Sequence, residues 1–87
     1  MQVDKKKQMI LKALAKKVKE LRGEQSQFML ASENDISGFI ISTVERGIKD
    51  PQTTTLFKIA EAFNMKTWQF VKLFEDELPK DFSLIDK

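Results

Sequence analysis

The fold is decided by Ser26-Gln-Phe-Met-Leu-Ala-Ser-Glu-Asn-Asp-Ile-Ser-Gly-Phe-Ile-Ile-Ser-Thr-Val-Glu-Arg-Gly47. Ser26 and Ser37 are favourable N-caps, and each precedes a short run with helical spacing. Between the runs stand Asn34 and Asp35, the non-glycine residue types that best tolerate a left-handed turn. The apolar positions that let both helices share one core are Leu30, Ala31, Ile36, Ile41 and Val44. This stretch predicts two short helices separated by a tight polar turn.

Three further amphipathic helices are predicted around this pair. The first covers about residues 4–22 and stops at Gly23. The fourth begins at a cap among threonines 53–55, and the fifth covers about residues 68–78, between a Thr67 cap and Pro79. The apolar stripes are Ile10, Leu14, Val18 and Leu21 in the first helix and Leu56, Ile59, Ala60 and Phe63 in the fourth. We expect an all-α domain over residues 8–78, preceded by a basic arm or helix start (1–7) and followed by a tail (79–87).

Composition excludes several classes of protein. The 87 residues suit one small domain, and they contain no cysteine and no histidine. Disulfides, thiolate metal sites and Ser-His catalysis are therefore not expected, and neither an enzyme nor a cofactor is indicated. The acids at 75–77 are adjacent on a helix and point in different directions, which argues against a general acid/base pair. No apolar run approaches the roughly 20 residues that span a bilayer, and no secretory signal is apparent, so a cytoplasmic protein is expected.

Charge is distributed unevenly although the net charge is only +2. Residues 1–22 carry eight Lys or Arg against two acids, whereas residues 23–52 carry two basic residues against five acids. The basic first helix either meets phosphates or forms a solvated face. The acidic balance of residues 23–52 weakens the electrostatic attraction of that segment for nucleic acid.

The chain resembles the helix-turn-helix domains of the Xre/Cro/lambda-repressor type over about residues 8–75. The matching elements are Lys19-Glu-Leu-Arg22, Ser26-Gln27, Leu30-Ala31, Ile36-Ser37, Ile41-Ser42, Val44-Glu-Arg-Gly47, Pro51, Thr55-Leu56 and Lys58-Ile-Ala60. The resemblance implies a compact five-helix, lambda-repressor-like domain with its helix-turn-helix at about residues 26–46. It also implies a transcription regulator whose third helix enters the major groove of double-stranded DNA, commonly as a dimer on a two-fold-related operator.

The resemblance also implies which residues meet DNA. They are Gln27, Ser37, Gly38, Phe39, Ser42, Thr43, Arg46 and Lys49. Two other motif residues, Arg22 and Glu45, match positions that pair to tie the first helix to the third. The third helix lacks the side chains that usually recognise bases, because residues 37–45 contain no Arg, Lys, Asn or Gln for bidentate base contacts. Direct discrimination is then weak, and DNA shape and phosphate contacts carry more of the recognition.

The apolar residues of the second and third helices suggest an alternative function. Phe28, Met29, Phe39 and Ile40 stand where relatives commonly carry polar residues. If exposed, they favour a protein-interaction module, or the antitoxin of a toxin–antitoxin pair, since exposed apolar clusters mark protein interfaces. The opposing possibility is that a shortened loop after the first helix tilts the second one and buries Phe28 and Met29.

The fifth helix carries an apolar surface broader than one core contact needs. Its large residues are Trp68, Phe70, Leu73 and Phe74. We expect part of this surface to form a symmetric homodimer contact. The alternative is that the tail folds back and covers it through Phe82, Leu84 and Ile85.

Overall fold

The chain forms a bundle of five helices with no strand among the described residues. The computed structural model describes residues 2–85, with side chains from Asp4 onward. Met1 of the expected arm and Asp86 and Lys87 of the expected tail lie outside the described residues. The helices are α1 (Gln2–Arg22), α2 (Gln27–Glu33), α3 (Gly38–Glu45), α4 (Thr53–Ala62) and α5 (Thr67–Glu75). The predicted number of helices and the all-α class are confirmed.

Packing places α1 at the centre of the contacts. This helix packs against both α3 and α5, while α2 packs on α3 and α4 packs on α5. Among the side chains described from Asp4 onward, the first buried one is Leu11, and most of residues 4–9 lie outside the core. There, the Lys7 ammonium lies 3.6 Å from the Asp50 carboxylate on the loop after α3. No helix in the described part of the chain is long and apolar enough to cross a membrane.

Two predicted helix starts are wrong by one position or more. The N-cap of α4 is Gln52, whose extended backbone (φ −66°, ψ 156°) precedes a first turn made by the threonines 53–55. The N-cap of α5 is Lys66 rather than Thr67. Its backbone N–H donates to Gln69 Oε1 at 3.0 Å, so a side chain from inside the helix satisfies the cap.

The end of α5 also differs from the prediction. The helix ends at Glu75, three residues before the expected position near 78. Acidic residues at a helix C-terminus oppose the negative end of the helix dipole, and 75–77 are three acids in succession. Glu77 turns away and binds α1 instead: its Oε1 accepts from Lys16 Nζ at 2.8 Å, and its Oε2 lies 3.1 Å from Lys17 Nζ.

These contacts with Glu77 shift three pKa values. Hydrogen bonds from Lys16 and then Lys17 lower the pKa of the Glu77 carboxyl below its ordinary value. The hydrogen bond to Glu77 raises the pKa of Lys16. Hydrogen bonds to Glu20 and Glu77 raise the pKa of Lys17. The cluster therefore fastens the segment after α5 to α1 while all three groups are charged.

One hydrophobic core joins all five helices. Its buried members are Ala13, Leu14, Val18, Leu30, Ala31, Ile36, Ile41, Val44, Ile59, Ala60, Phe70 and Phe74. The five core positions predicted from residues 26–47 are all among them, so that prediction is confirmed. Leu21, predicted on the buried stripe of α1, is instead 38% exposed.

The expected dimer surface on α5 is wrong for two of its four residues. Phe70 is fully buried and Phe74 nearly so, and their rings pack edge to face with centroids 5.5 Å apart. They serve the core of one chain and are not available to a second one. Leu73 is half-buried, whereas Trp68 lies on the opposite side of α5 and is 66% exposed. The tail residues Leu84 and Ile85 are exposed and Phe82 is half-buried, so Trp68 stays uncovered.

Candidate functional site

The α2–α3 pair begins with two serine caps. Ser26 Oγ accepts a hydrogen bond from Met29 N at 3.0 Å, and Ser37 Oγ accepts one from Phe39 N at 3.2 Å. Each hydroxyl satisfies a backbone donor that has no partner within its own helix. Both predicted caps are confirmed as structural elements, and the position of α3 relative to α2 depends on them.

A four-residue turn, residues 34–37, joins the two helices. Asp35 adopts φ 54°, the left-handed conformation that a chain reversal of this kind needs. Asn34 Nδ2 donates to Leu30 O at 2.8 Å, and Ile36 N donates to Ala31 O at 3.1 Å, which closes the end of α2. Lys58 on α4 donates to Asp35 O at 3.1 Å. The turn is therefore held from both sides and fixes the angle between α2 and α3.

A partly buried cluster at the junction of α1, α2 and α3 consists of Arg22, Gln27 and Glu45. Arg22 Nε lies 2.6 Å from Glu45 Oε2, and its Nη2 lies 2.9 Å from Oε1, a bidentate arrangement. The hydrogen bond to Glu45 raises the pKa of Arg22 further above its ordinary range. Because Glu45 is only 2% exposed, the predicted structural role of this pair, tying α1 to the end of α3, is confirmed.

Gln27 belongs to the same cluster. Its Nε2 donates to Glu45 Oε1 at 2.9 Å, and the residue is half-buried. The amide nitrogen carries two N–H donors, so the bond to Glu45 leaves one of them for another acceptor. The structure thus gives Gln27 a role in orienting α2 on α3, in addition to the predicted position at the start of α2.

The outward face of α3 is formed by Phe39, Ser42 and Arg46, which are spaced three and four residues apart. Phe39 is 73% exposed, Ser42 is half-buried and Arg46 is exposed. A Cβ added at Gly38 would meet nothing within 4 Å, so the start of this face is open as well. The prediction that Gly38, Phe39 and Ser42 face away from the core is confirmed in geometry.

Thr43 contradicts the same prediction. Its side chain is only 7% exposed, and Oγ1 donates within α3 to the carbonyl oxygens of Phe39 (2.9 Å) and Ile40 (3.1 Å). Thr43 follows the half-buried Ile40 by three residues and lies on the same flank of α3, so its side chain turns toward the domain.

The loop after α3 holds the remaining two expected contact residues. Gly47 adopts φ 72°, and a side chain there would approach Lys12 Cγ and the Leu11 carbonyl. Lys49 is half-buried, and its backbone N–H donates to Thr43 O at 3.2 Å. Arg46 makes no ion pair with any described residue, so its guanidinium is available at the C-terminal end of the outward face.

Exposed apolar side chains occur on both helices. Phe28 is 74% exposed and Met29 is 43% exposed on α2, and Phe39 is their counterpart on α3. The possibility that a tilted α2 buries Phe28 and Met29 is therefore wrong. Ile40 differs from the other three, since it is half-buried and packs against the core. Phe28 and Phe39 occupy the second position of their helices, where no other helix covers them.

A row of lysines on α1 was not among the predicted site residues. Lys12, Lys16 and Lys19 share a surface groove of about 390 Å³ with Arg46 at the end of α3. The available signal was their spacing of four and three residues in a segment with eight basic residues. It could not be assigned, because only the packing of α1 on α3 shows which flank lies beside Arg46.

Comparison with protein-family models, with curated proteins and with solved structures finds no match to this chain. The functional argument therefore depends on the residues themselves. They provide a capped helix pair, a fixed turn and an outward face on α3 with one free guanidinium at its end. Such a face suits binding to a macromolecular surface rather than chemistry in an enclosed pocket.

Proposed function

We propose that this chain is a DNA-binding transcription regulator whose α2–α3 pair is a helix-turn-helix in a lambda-repressor-like domain. The observation that carries the proposal is the combination of a rigid inner side and an open outer side of α3. The caps, the Asp35 turn and the Arg22–Glu45 pair fix α3, while Phe39 and Arg46 are exposed and Ser42 is half-buried. A protruding helix fixed in this way fits the major groove, which is about 12 Å wide.

In this proposal, α3 reads bases by shape and apolar contact more than by hydrogen bonds. Phe39 is placed to touch a thymine methyl group, and the Ser42 hydroxyl can donate to or accept from either kind of base. Arg46 and Lys49 bind phosphates on the flanking strand, which positions the helix without selecting a sequence. Sequence preference is then modest at each half-site, and two half-sites are needed for useful discrimination.

A dimer supplies the second half-site. The corrected surface for dimerisation centres on Trp68, which is exposed on the side of α5 that faces away from Phe70. A two-fold dimer places two α3 helices about 34 Å apart, one turn of the DNA helix, on a palindromic operator. Regulation follows from occupancy of that operator, because the bound dimer blocks or recruits polymerase.

The proposal is tested by selecting sites from a random pool of duplex DNA with the full chain. The expected result is an enriched palindrome with half-sites about one helical turn apart. Arg46→Ala should weaken binding to every duplex, whereas Phe39→Ala should change the enriched sequence. A pool that stays random after selection would contradict the proposal.

A second candidate function is a protein-interaction module, including the antitoxin of a toxin–antitoxin pair. The exposure of Phe28 (74%) on α2 favours it, since DNA docked on α3 does not account for that side chain. Exposed acids at Glu33 and Asp35 lie close in sequence and suit a basic partner. The discriminating variant is Phe28→Asp, which should abolish capture of a co-purifying partner and leave duplex binding unchanged if both surfaces are used.

A further inference from the structure

The groove between α1 and the end of α3 concentrates positive charge. It is lined by Lys12, Lys16, Lys19 and Arg46, together with Ala15, Glu20, Glu45 and Gly47. The three lysines lie on one flank of α1, at spacings of four and three residues. The α1 wall of the groove lies close to the chain that follows α3. A Cβ added at Gly47 would lie 3.8 Å from Lys12 Cγ.

The acids near this groove are already neutralised by partners outside it or at its edge. Glu45 is bound by Arg22, Glu20 lies 3.0 Å from Lys17 Nζ, and Glu77 accepts from Lys16. Lys12, Lys19 and Arg46 make no ion pair with any described residue, and Lys12 and Lys19 are exposed. The groove therefore carries three uncompensated cations.

These cations extend the outward face of α3. Arg46 follows Ser42 by one turn on that face and also lines the groove. Lys12 and Lys19 are seven residues apart, which is about 10 Å along α1. On one DNA strand, that distance corresponds to about three base-pair steps of 3.4 Å.

We propose that the Lys12–Lys19 flank of α1 is a second contact surface for the phosphate backbone of duplex DNA, continuous with α3 through Arg46. This inference rests on the proposed function and adds to it that α3 and α1 contribute differently to DNA binding. The outward face of α3 provides what sequence preference there is, and α1 provides affinity that does not depend on sequence. The same flank explains why a domain whose residues 23–52 are acidic on balance can still approach DNA.

The test is the salt dependence of binding to a labelled mixed-sequence duplex of about 20 base pairs, two helical turns. Each lysine that neutralises a phosphate contributes about 0.9 to the slope of log K against log salt. The double variant Lys12→Ala/Lys19→Ala should therefore lower the magnitude of the slope by about 1.8. Both side chains are exposed, so the thermal midpoint should not change.

The matched control is Lys66→Ala/Lys72→Ala, which removes the same charge at the α4–α5 end of the bundle. Both lysines are exposed, and the ion pair that this control removes among the described residues is the surface pair of Lys72 with Asp76. The control should keep the wild-type slope. An equal reduction of the slope in both double variants would show that binding depends on net charge alone, and it would overturn the inference.

The remaining outcomes separate the inference from the proposed function. If the wild type binds and Arg46→Ala lowers the slope while Lys12→Ala/Lys19→Ala does not, then α1 makes no backbone contact and the proposed function stands. If the wild type binds no duplex even at low salt, both the inference and the proposed function are wrong.

Discussion

The two sides of α3 differ as much as any two regions of the molecule. On the inner side, Ile41 and Val44 are fully buried and Glu45 is held by Arg22. On the outer side, Phe39 is 73% exposed and nothing lies near Gly38. The inner residues decide whether the domain folds, and the outer ones are free to serve binding. An apolar residue therefore serves the core at position 41 and is available for binding at position 39.

The largest expected effect separates the two sides by stability. Ile41→Ala should lower the free energy of unfolding by about 2–5 kcal/mol, since it leaves a cavity in a packed core. Phe39→Ala should change it by less than about 0.5 kcal/mol because the ring is mostly in solvent. Urea denaturation measures both.

If Ile41→Ala proves too unstable to purify, Ile41→Val provides the same comparison at about 0.5–1.5 kcal/mol. Equal losses for substitutions at positions 39 and 41 would mean that Phe39 is packed in solution and that the outer side is not free.

A smaller loss is expected when the inner ion pair is broken. Glu45→Gln removes the charge that binds Arg22 but keeps one oxygen acceptor, so it should cost about one hydrogen bond to a charged group, about 1.5–3 kcal/mol. Glu33→Gln is the matched control, since Glu33 is exposed and accepts only from Gln25. It should cost less than about 0.5 kcal/mol in the same denaturation assay. A similar loss of stability in both variants would contradict a structural role for the Arg22–Glu45 pair.

The N-cap of α3 should contribute less again. Ser37→Ala removes the acceptor for Phe39 N and should cost about 1 kcal/mol. Ser42→Ala, on the outer side of the same helix, should be neutral or slightly stabilising, because alanine is the better helix former. Thermal unfolding followed by circular dichroism compares the two. A destabilised Ser42→Ala would show a contact that the outward face is not expected to make.

The smallest effect is a pH dependence that involves neither side of α3. The folded pKa of Glu77 is lowered, so its contribution to stability is present above the ordinary carboxyl pKa of about 4.3 and is lost as pH falls through the folded value. The raised pKa values of Lys16 and Lys17 place the opposite loss above about pH 10.4. The stability difference between wild type and Glu77→Gln should therefore shrink below about pH 4. A difference that does not change with pH would contradict the Glu77 contacts.

Much of the fold could be predicted from sequence because periodicity and caps are local. Ser26, Ser37 and the left-handed Asp35 are specified by neighbouring residues, and each is found as predicted. The starts of α4 and α5 were missed for different reasons: Gln69 completes the cap of α5 at Lys66, whereas no side-chain hydrogen bond caps α4 at Gln52. Local signals alone do not decide between adjacent cap candidates.

The site was less predictable because exposure depends on packing between helices. Thr43 and Phe70 were expected on surfaces and are buried, whereas Phe28 is exposed. The polarity of a side chain gives no guidance at two of these positions, since Thr43 is buried and Phe28 is exposed. The groove beside α1 could not be predicted from the sequence, because it is formed by the packing of α1 on α3. The periodicity of a single helix does not show how two helices pack.

The central claim, that the outer side of α3 binds duplex DNA, is tested most directly by a polarisation titration of Phe39→Asp against Phe57→Asp. Both replace an exposed phenylalanine with the same negative charge, one on α3 and one on α4. On the duplex selected by the wild type, Phe39→Asp should lose at least about tenfold in affinity, because its carboxylate would face phosphates. Phe57→Asp should stay within about twofold of the wild type at the same salt concentration. Equal affinities for the two variants would contradict the account.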